Sequence, residues 1–160
     1  ANIRIKTKRG GMLKFYTQFS ASRIGLRRPD IDSMGLKNAF DIVNYNWYNN
    51  VSYRESLGKG WKLNIGASFS TNTDGIEQQL QNPQNVKIDN TTVSYLSGKN
   101  FTAKSRSDLA QVKVVLDKRL SGISVLRFGS EYWYNHTSNA FNANRIVLND
   151  QFAAGFAEAD

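Results

Sequence analysis

The feature that most constrains this chain is an alternation of apolar and polar residues through 43–71, broken once by a turn. On the first arm Val43, Tyr45, Trp47, Val51 and Tyr53 share one face, interrupted by Asn49, while Asn44, Asn46, Tyr48, Asn50, Ser52 and Arg54 share the other. On the second arm Trp61, Leu63, Ile65, Ala67, Phe69 and Thr71 alternate with Lys62, Asn64, Gly66, Ser68, Ser70 and Asn72. A period of two marks a strand, because successive side chains leave a pleated backbone on opposite sides. Gly58 and Gly60 between the arms predict a hairpin. Each arm matches the roughly 9 to 11 residues that a tilted strand needs to cross a bilayer, against about 5 to 6 for a strand of average length.

The polar face is rich in Asn and Ser rather than charge, which suits a water-filled lumen. The apolar face carries Tyr45 and Trp47 near one end and Tyr53 and Trp61 near the turn, as two aromatic girdles at two membrane interfaces would. The competing explanation is the core of a soluble two-sheet sandwich, whose strands also alternate.

Other segments repeat the pattern. Residues 2–9 set Ile3, Ile5 and Thr7 against Arg4, Lys6 and Lys8 and end in Gly10-Gly11; residues 13–22 set Leu13, Phe15, Thr17, Phe19 and Ala21 against Lys14, Tyr16, Gln18, Ser20 and Ser22. The double glycine reads as a boundary. From about 106 to 116, Ala110, Val112, Val114 and Leu116 line up; a short turn at 118–122 follows; the return strand sets Leu126, Phe128, Ser130, Tyr132 and Tyr134 against Arg127, Gly129, Glu131 and Trp133. Residues 151–160 begin one further strand. Between these segments the reading predicts irregular loops at about 23–42, 72–105 and 135–150, with Asp74-Gly75 as a turn signal. Long loops then alternate with short turns, the rhythm of an outer-membrane barrel, and Tyr132 and Tyr134 join Tyr45 and Trp47 in the outer girdle.

Composition excludes several chemistries. The 160 residues contain no Cys and one His, so thiol catalysis, a disulfide framework and a Cys/His zinc site are not expected. No run of 18 apolar residues predicts a transmembrane helix, and a mean hydropathy of -0.49 is compatible with a barrel, whose wall shows lipid only every second residue. The net charge of +8 is spread along the chain, which favours a solvated face over nucleic-acid binding. His136 reads as a solvated loop side chain, Asp30 with Asp32 and Asp74 with Glu77 as turn formers, and the four Asn-X-Ser/Thr matches beginning at Asn50, Asn90, Asn100 and Asn135 as chance. No catalytic constellation, metal site or cofactor is expected. The chain begins and stops in strand-like sequence, which suggests a fragment.

The stretch from Asn2 through Ile3-Arg4-Ile5-Lys6-Thr7-Lys8-Arg9 to Gly10 resembles the end of the plug domain in TonB-dependent outer-membrane receptors, where a segment of the type (Val/Ile)-Asn-Ile-x-Thr-(Lys/Arg) and a glycine precede the first barrel strand. The resemblance implies that residues 1–11 close the plug and 12–160 supply about six wall strands of an antiparallel transmembrane β-barrel of about 22 strands. It implies import of a scarce nutrient across the bacterial outer membrane, energy from a TonB-type transducing protein, and contact with membrane lipid, lipopolysaccharide and a surface lipoprotein or larger outer-membrane complex. By alternation Lys14, Tyr16, Gln18, Asn44, Asn46, Tyr48, Asn64, Arg127 and Glu131 face the lumen as candidate substrate contacts. Arg23, Arg27 and Arg28 are candidate outer-loop contacts for an anionic substrate or lipid phosphate. Two rivals remain open: a passive porin or adhesin barrel in which residues 2–9 form an ordinary wall strand, and a secreted carbohydrate-binding sandwich using Trp47, Trp61 and Trp133.

Overall fold

The computed structural model describes residues 1–31, 35–89, 96, 98–120, 122 and 124–159. Asp32 and the Asn90 sequon lie outside them. The described residues form β1 (Asn2–Lys6), β2 (Met12–Pro29), β3 (Lys37–Gly58), β4 (Trp61–Gln81), β5 (Phe101–Arg119), β6 (Val125–Phe141) and β7 (Asn144–Ala159). All belong to one sheet in the order β1-β2-β3-β4-β5-β6-β7, each strand antiparallel to the next. Antiparallel neighbours need only a turn between them, so this order follows directly from the chain.

A single sheet decides between the sandwich and the barrel wall. A sandwich buries the inner faces of two sheets against each other. Among the described residues there is no second sheet, and the large apolar side chains of the alternating face stay open, with Phe19 at 65%, Tyr45 at 49% and Val112 at 45% of full exposure. The sandwich expectation is therefore overturned. Trp133 instead stacks on Phe152, 5.5 Å between ring centroids, within the same sheet.

The turns at one end are tight. Gly58, Lys59 and Gly60 all have positive φ, and a Cβ on Gly60 would sit 2.7 Å from the Arg119 carbonyl oxygen, so that position has room only for glycine. Gly10-Gly11 closes the β1–β2 hairpin: the Thr7 amide donates to the Gly11 carbonyl at 2.9 Å and the Gly11 amide to Thr7 Oγ1 at 2.9 Å. Gly10-Gly11 forms a turn, and β1 is hydrogen-bonded to β2 as the edge of the sheet, from Asn2↔Tyr16 to Lys6↔Met12.

At the other end the strands run much further than the alternation suggested. The expected loop 23–42 is strand except for a short connection between Pro29 and Lys37; the expected loop 135–150 is strand except for a two-residue turn, in which Asn142 has φ 52°; the loop 72–105 shrinks to the span between Gln81 and Phe101. Asp74-Gly75 is not a turn but mid-strand, paired with Asn44 and Val43. The glycine makes room there, since a Cβ on Gly75 would meet Val43 Cγ2 at 2.8 Å. His136 likewise lies in β6, opposite Asn149, whose Oδ1 is 2.6 Å from its Nδ1.

The described residues bury few apolar side chains, and these gather at this extended end: Leu80, Ala39 and Leu96. Beside them Lys99 Nζ lies 2.6 and 2.7 Å from the two oxygens of Asp30, whose side chain is fully buried. Asn38 Nδ2 also donates to Asp30. Asp30 is therefore the anchor of a buried ion pair, not simply a turn former. The pair ties the β2–β3 connection to the β4–β5 connection, and Asn100 extends the tie by accepting from the Leu80 amide at 2.7 Å and donating to the Ile88 carbonyl at 2.7 Å.

Candidate functional site

Directly opposed residues of an antiparallel pair project to the same side, so the register assigns every side chain to a face. One face is an apolar belt. It begins at the tight-turn end with Leu13, Tyr53, Ile65, Val114 and Ser130 in a single cross-strand row, continues with Phe15, Val51, Ala67, Val112 and Tyr132, and then with Thr17, Asn49, Phe69, Ala110 and Tyr134. The aromatic girdle residues Tyr45, Trp47, Tyr53, Trp61, Tyr132 and Tyr134 all fall on this face. Their polar atoms are engaged within the sheet: Trp47 Nε1 donates to Thr17 Oγ1 at 3.1 Å, Tyr134 to Asn149 Oδ1 at 2.9 Å and Tyr132 to Gln151 Oε1 at 3.3 Å.

The girdle also slants as a barrel wall demands. The row through Tyr45 passes Thr73 and Arg106 and reaches β6 at Ser138, yet the β6 girdle residue is Tyr134, four residues nearer the tight turns. Strands tilted about 45° and spaced about 4.8 Å slip by about 1.4 residues per neighbour, or about four over three neighbours, if one horizontal plane is to be held. The four-residue offset of the aromatics equals the slip expected of side chains at one level on a wall tilted by that amount.

The opposite face carries the candidate ligand contacts, in two bands. Near the tight turns the band is charged: Arg127 Nε lies 2.8 Å from Asp117 and its Nη1 3.4 Å from Glu158, Lys113 lies 3.1 Å from Glu131, and Asn64 Nδ2 donates to Asp117 at 3.4 Å. Lys14 and Asn64 border a recess of about 330 Å³ over Gly66, with Arg54 and Lys113. Further up the band is amide-rich: Asn44 donates to Asp74 at 2.5 Å and to Asn72 at 3.1 Å, Asn72 donates to Asp74 at 2.6 Å, and Asn46 reaches Asn72 at 3.4 Å. Here Tyr16 and Tyr48 approach at 6.0 Å between centroids, Tyr16 donates to Gln18 at 2.5 Å and Asn50 to Tyr48 at 3.3 Å. The candidates thus divide, with Lys14, Asn64, Arg127 and Glu131 in the lower band and Tyr16, Gln18, Asn44, Asn46 and Tyr48 in the upper. Asp74, Asn72 and Asp117 were not among them; Asp74 was hidden because Asp-Gly reads as a turn.

Beyond the belt the faces exchange character. On the outer face Arg23 and Arg27 bracket Asp41, each at 3.8 Å, and Arg106 pairs with Asp108 at 3.0 Å. On the inner face the row Ser22–Asn44–Asp74–Ser105–Asn139 is followed at once by Ile24–Ile42–Ile76–Ala103–Phe141 and then by Leu26–Phe40–Gln78–Phe101. The three arginines do not form one loop cluster: all lie in β2, Arg23 and Arg27 outward, Arg28 inward with its guanidinium 5.6 Å from the Phe40 ring centroid.

With this geometry established, comparison with solved structures shows the fold. The ferric yersiniabactin uptake receptor FyuA from Yersinia pestis matches over 98% of this chain with a TM-score of 0.58 at 8% identity. The chain spans 23% of that receptor's length. CarO from Acinetobacter baumannii is matched over 99% of this chain at 11% identity, but its TM-score of 0.22 carries no argument. No protein-family model matches the chain, and no curated protein does. The chain is an all-β, antiparallel barrel segment.

Proposed function

We propose that this chain is a stretch of wall from a bacterial outer-membrane receptor that takes up a scarce nutrient by energy-coupled, TonB-type transport rather than performing catalysis. The observation that carries the reading is the division of one continuous sheet into an apolar, girdled outer face and a hydrogen-bonded polar inner face, slanted as a tilted wall requires. The resemblance of residues 2–10 to a plug terminus and the likeness in fold to an uptake receptor support the transport assignment. In this reading the wall belongs to a plugged barrel of about 22 strands. Lipid and lipopolysaccharide contact its outer face, a TonB-type protein drives it, and a surface lipoprotein or larger complex sits at its mouth. The test is uptake by intact cells: transport that needs both the full-length protein and an energised inner membrane supports the reading, and ligand flux that persists without energy refutes it.

A passive barrel has one observation in its favour, the pairing of β1 with β2 as a wall strand. The cysteine pair Arg4→Cys/Lys14→Cys separates the two in the full-length protein. These positions are directly opposed, within the usual 4.4–6.8 Å or so of a disulfide. Efficient oxidation in native membranes places β1 in the wall; no cross-link places residues 1–11 elsewhere, as a plug terminus would be.

A further inference from the structure

The exchange of faces creates a pocket that the uptake reading does not assign. On the inner side of β4–β7, where the amide row meets the apolar row, Ile76, Ala103, Phe141 and Ile146 wall a cavity of about 330 Å³ whose floor is Asp74 and Ser105. That is the size of a small-ligand site. Phe141 stacks on Phe101 at 5.5 Å between centroids and 27° between planes, presenting an aromatic wall. Lys104 borders the pocket but belongs by register to the outer face, opposite Gly75. Among the described residues lining the cavity, Asp74 is the one carboxylate. Its two oxygens take amide hydrogens from Asn44 and Asn72, and a carboxylate offers about four lone-pair sites, so these two bonds do not exhaust its acceptor capacity and its negative charge remains.

Lipid does not account for this apolar surface. The outward side chains at the same level are Lys104, Arg106, Glu77 and Asp41, which place it beyond the bilayer. An inward apolar shelf directly above an acidic floor is complementary to a molecule that carries both an apolar ring and a cation.

We propose that this pocket binds a small amphipathic cation, with its aromatic or aliphatic ring between Ile76 and Phe141 and its ammonium at Asp74. The inference rests on the uptake reading only for placing the pocket at the outer mouth of the barrel. The test uses the full-length protein in lipid nanodiscs, with tryptamine and its neutral N-acetyl derivative as probes and a heat-modifiable gel shift to verify that each variant is a folded barrel. Asp74→Asn should weaken tryptamine at least about ten-fold, the scale of a lost charge-assisted hydrogen bond, and leave N-acetyltryptamine unchanged. Phe141→Ala should weaken both. Absence of saturable tryptamine binding to the native protein, or binding that survives both substitutions, would overturn the proposal. Equilibrium binding is independent of energy coupling, so a barrel that binds tryptamine while its ligand flux persists without energy would refute the uptake reading alone.

Discussion

The belt and the rim of this sheet are built on the same strands and the same two-residue period, yet they show opposite sides to water. In the belt the outward residues are Phe15, Val51, Val112 and Tyr132, and the inward ones Lys14, Asn50, Lys113 and Glu131. In the rim the outward residues are Arg27, Asp41, Glu77 and Lys104, and the inward ones Leu26, Ile42, Ile76 and Phe141. In the proposed reading, what changes is the solvent outside the wall, from hydrocarbon to water. The apolar face of the belt has no cover within the described sheet, while the rim carries its own small buried knot of Leu80, Ala39, Leu96 and the Asp30–Lys99 pair.

That difference predicts separable failures. The largest effect should come from Asp30→Ala, which removes the buried carboxylate that Lys99 contacts at 2.6 Å in a site where the lysine side chain is only 16% exposed. Breaking a buried pair by removing one partner costs about 3–5 kcal/mol. The β4–β5 connection between Gln81 and Phe101 should become protease-sensitive in intact cells while the heat-modifiable shift of the barrel persists; loss of the shift would mean that belt and rim fold as one unit. Val112→Arg should act the other way, destabilising insertion by about 2–4 kcal/mol if, as proposed, the side chain faces hydrocarbon. Thr102→Arg, on the outward side of the rim opposite Glu77, should change stability by less than about 0.5 kcal/mol. Equal losses for the two arginines, in denaturant titrations of bilayer-folded protein, would erase the distinction.

Gly75→Val lies at the crossover and should cost about 1–3 kcal/mol by forcing Val43 aside, with the melting temperature as readout. Arg23→Ala should do least. Its 3.8 Å pair with Asp41 is exposed and Arg27 stands at the same distance, so a melting curve within error of the native protein is expected.

The limits of the sequence reading have the same origin. The hairpin around Gly58 and Gly60 and the shared face of Lys14, Asn44, Tyr48 and Glu131 were legible because a single phase of alternation holds throughout the belt. The rim was read as loop because the phase inverts: after Ala21 the apolar positions move from odd to even numbers, at Ile24 and Leu26, and a window spanning the switch shows no periodicity. Proline at 29 and Asp-Gly at 74–75 reinforced the error, although one ends a strand and the other accommodates Val43. The Asp30–Lys99 pair joins residues 69 positions apart and leaves no local trace.

By itself the sequence determined which residues share a side of each strand within the belt, because alternation is a property of neighbours along the chain. Only the tertiary structure decided which strand lies beside which and in what register. It thereby set the slope of the girdle, the burial of Asp30 and the meeting of Asp74 with Phe141. Those depend on pairings between distant segments, where hydrogen bonds are satisfied across the sheet and no local pattern records the partner.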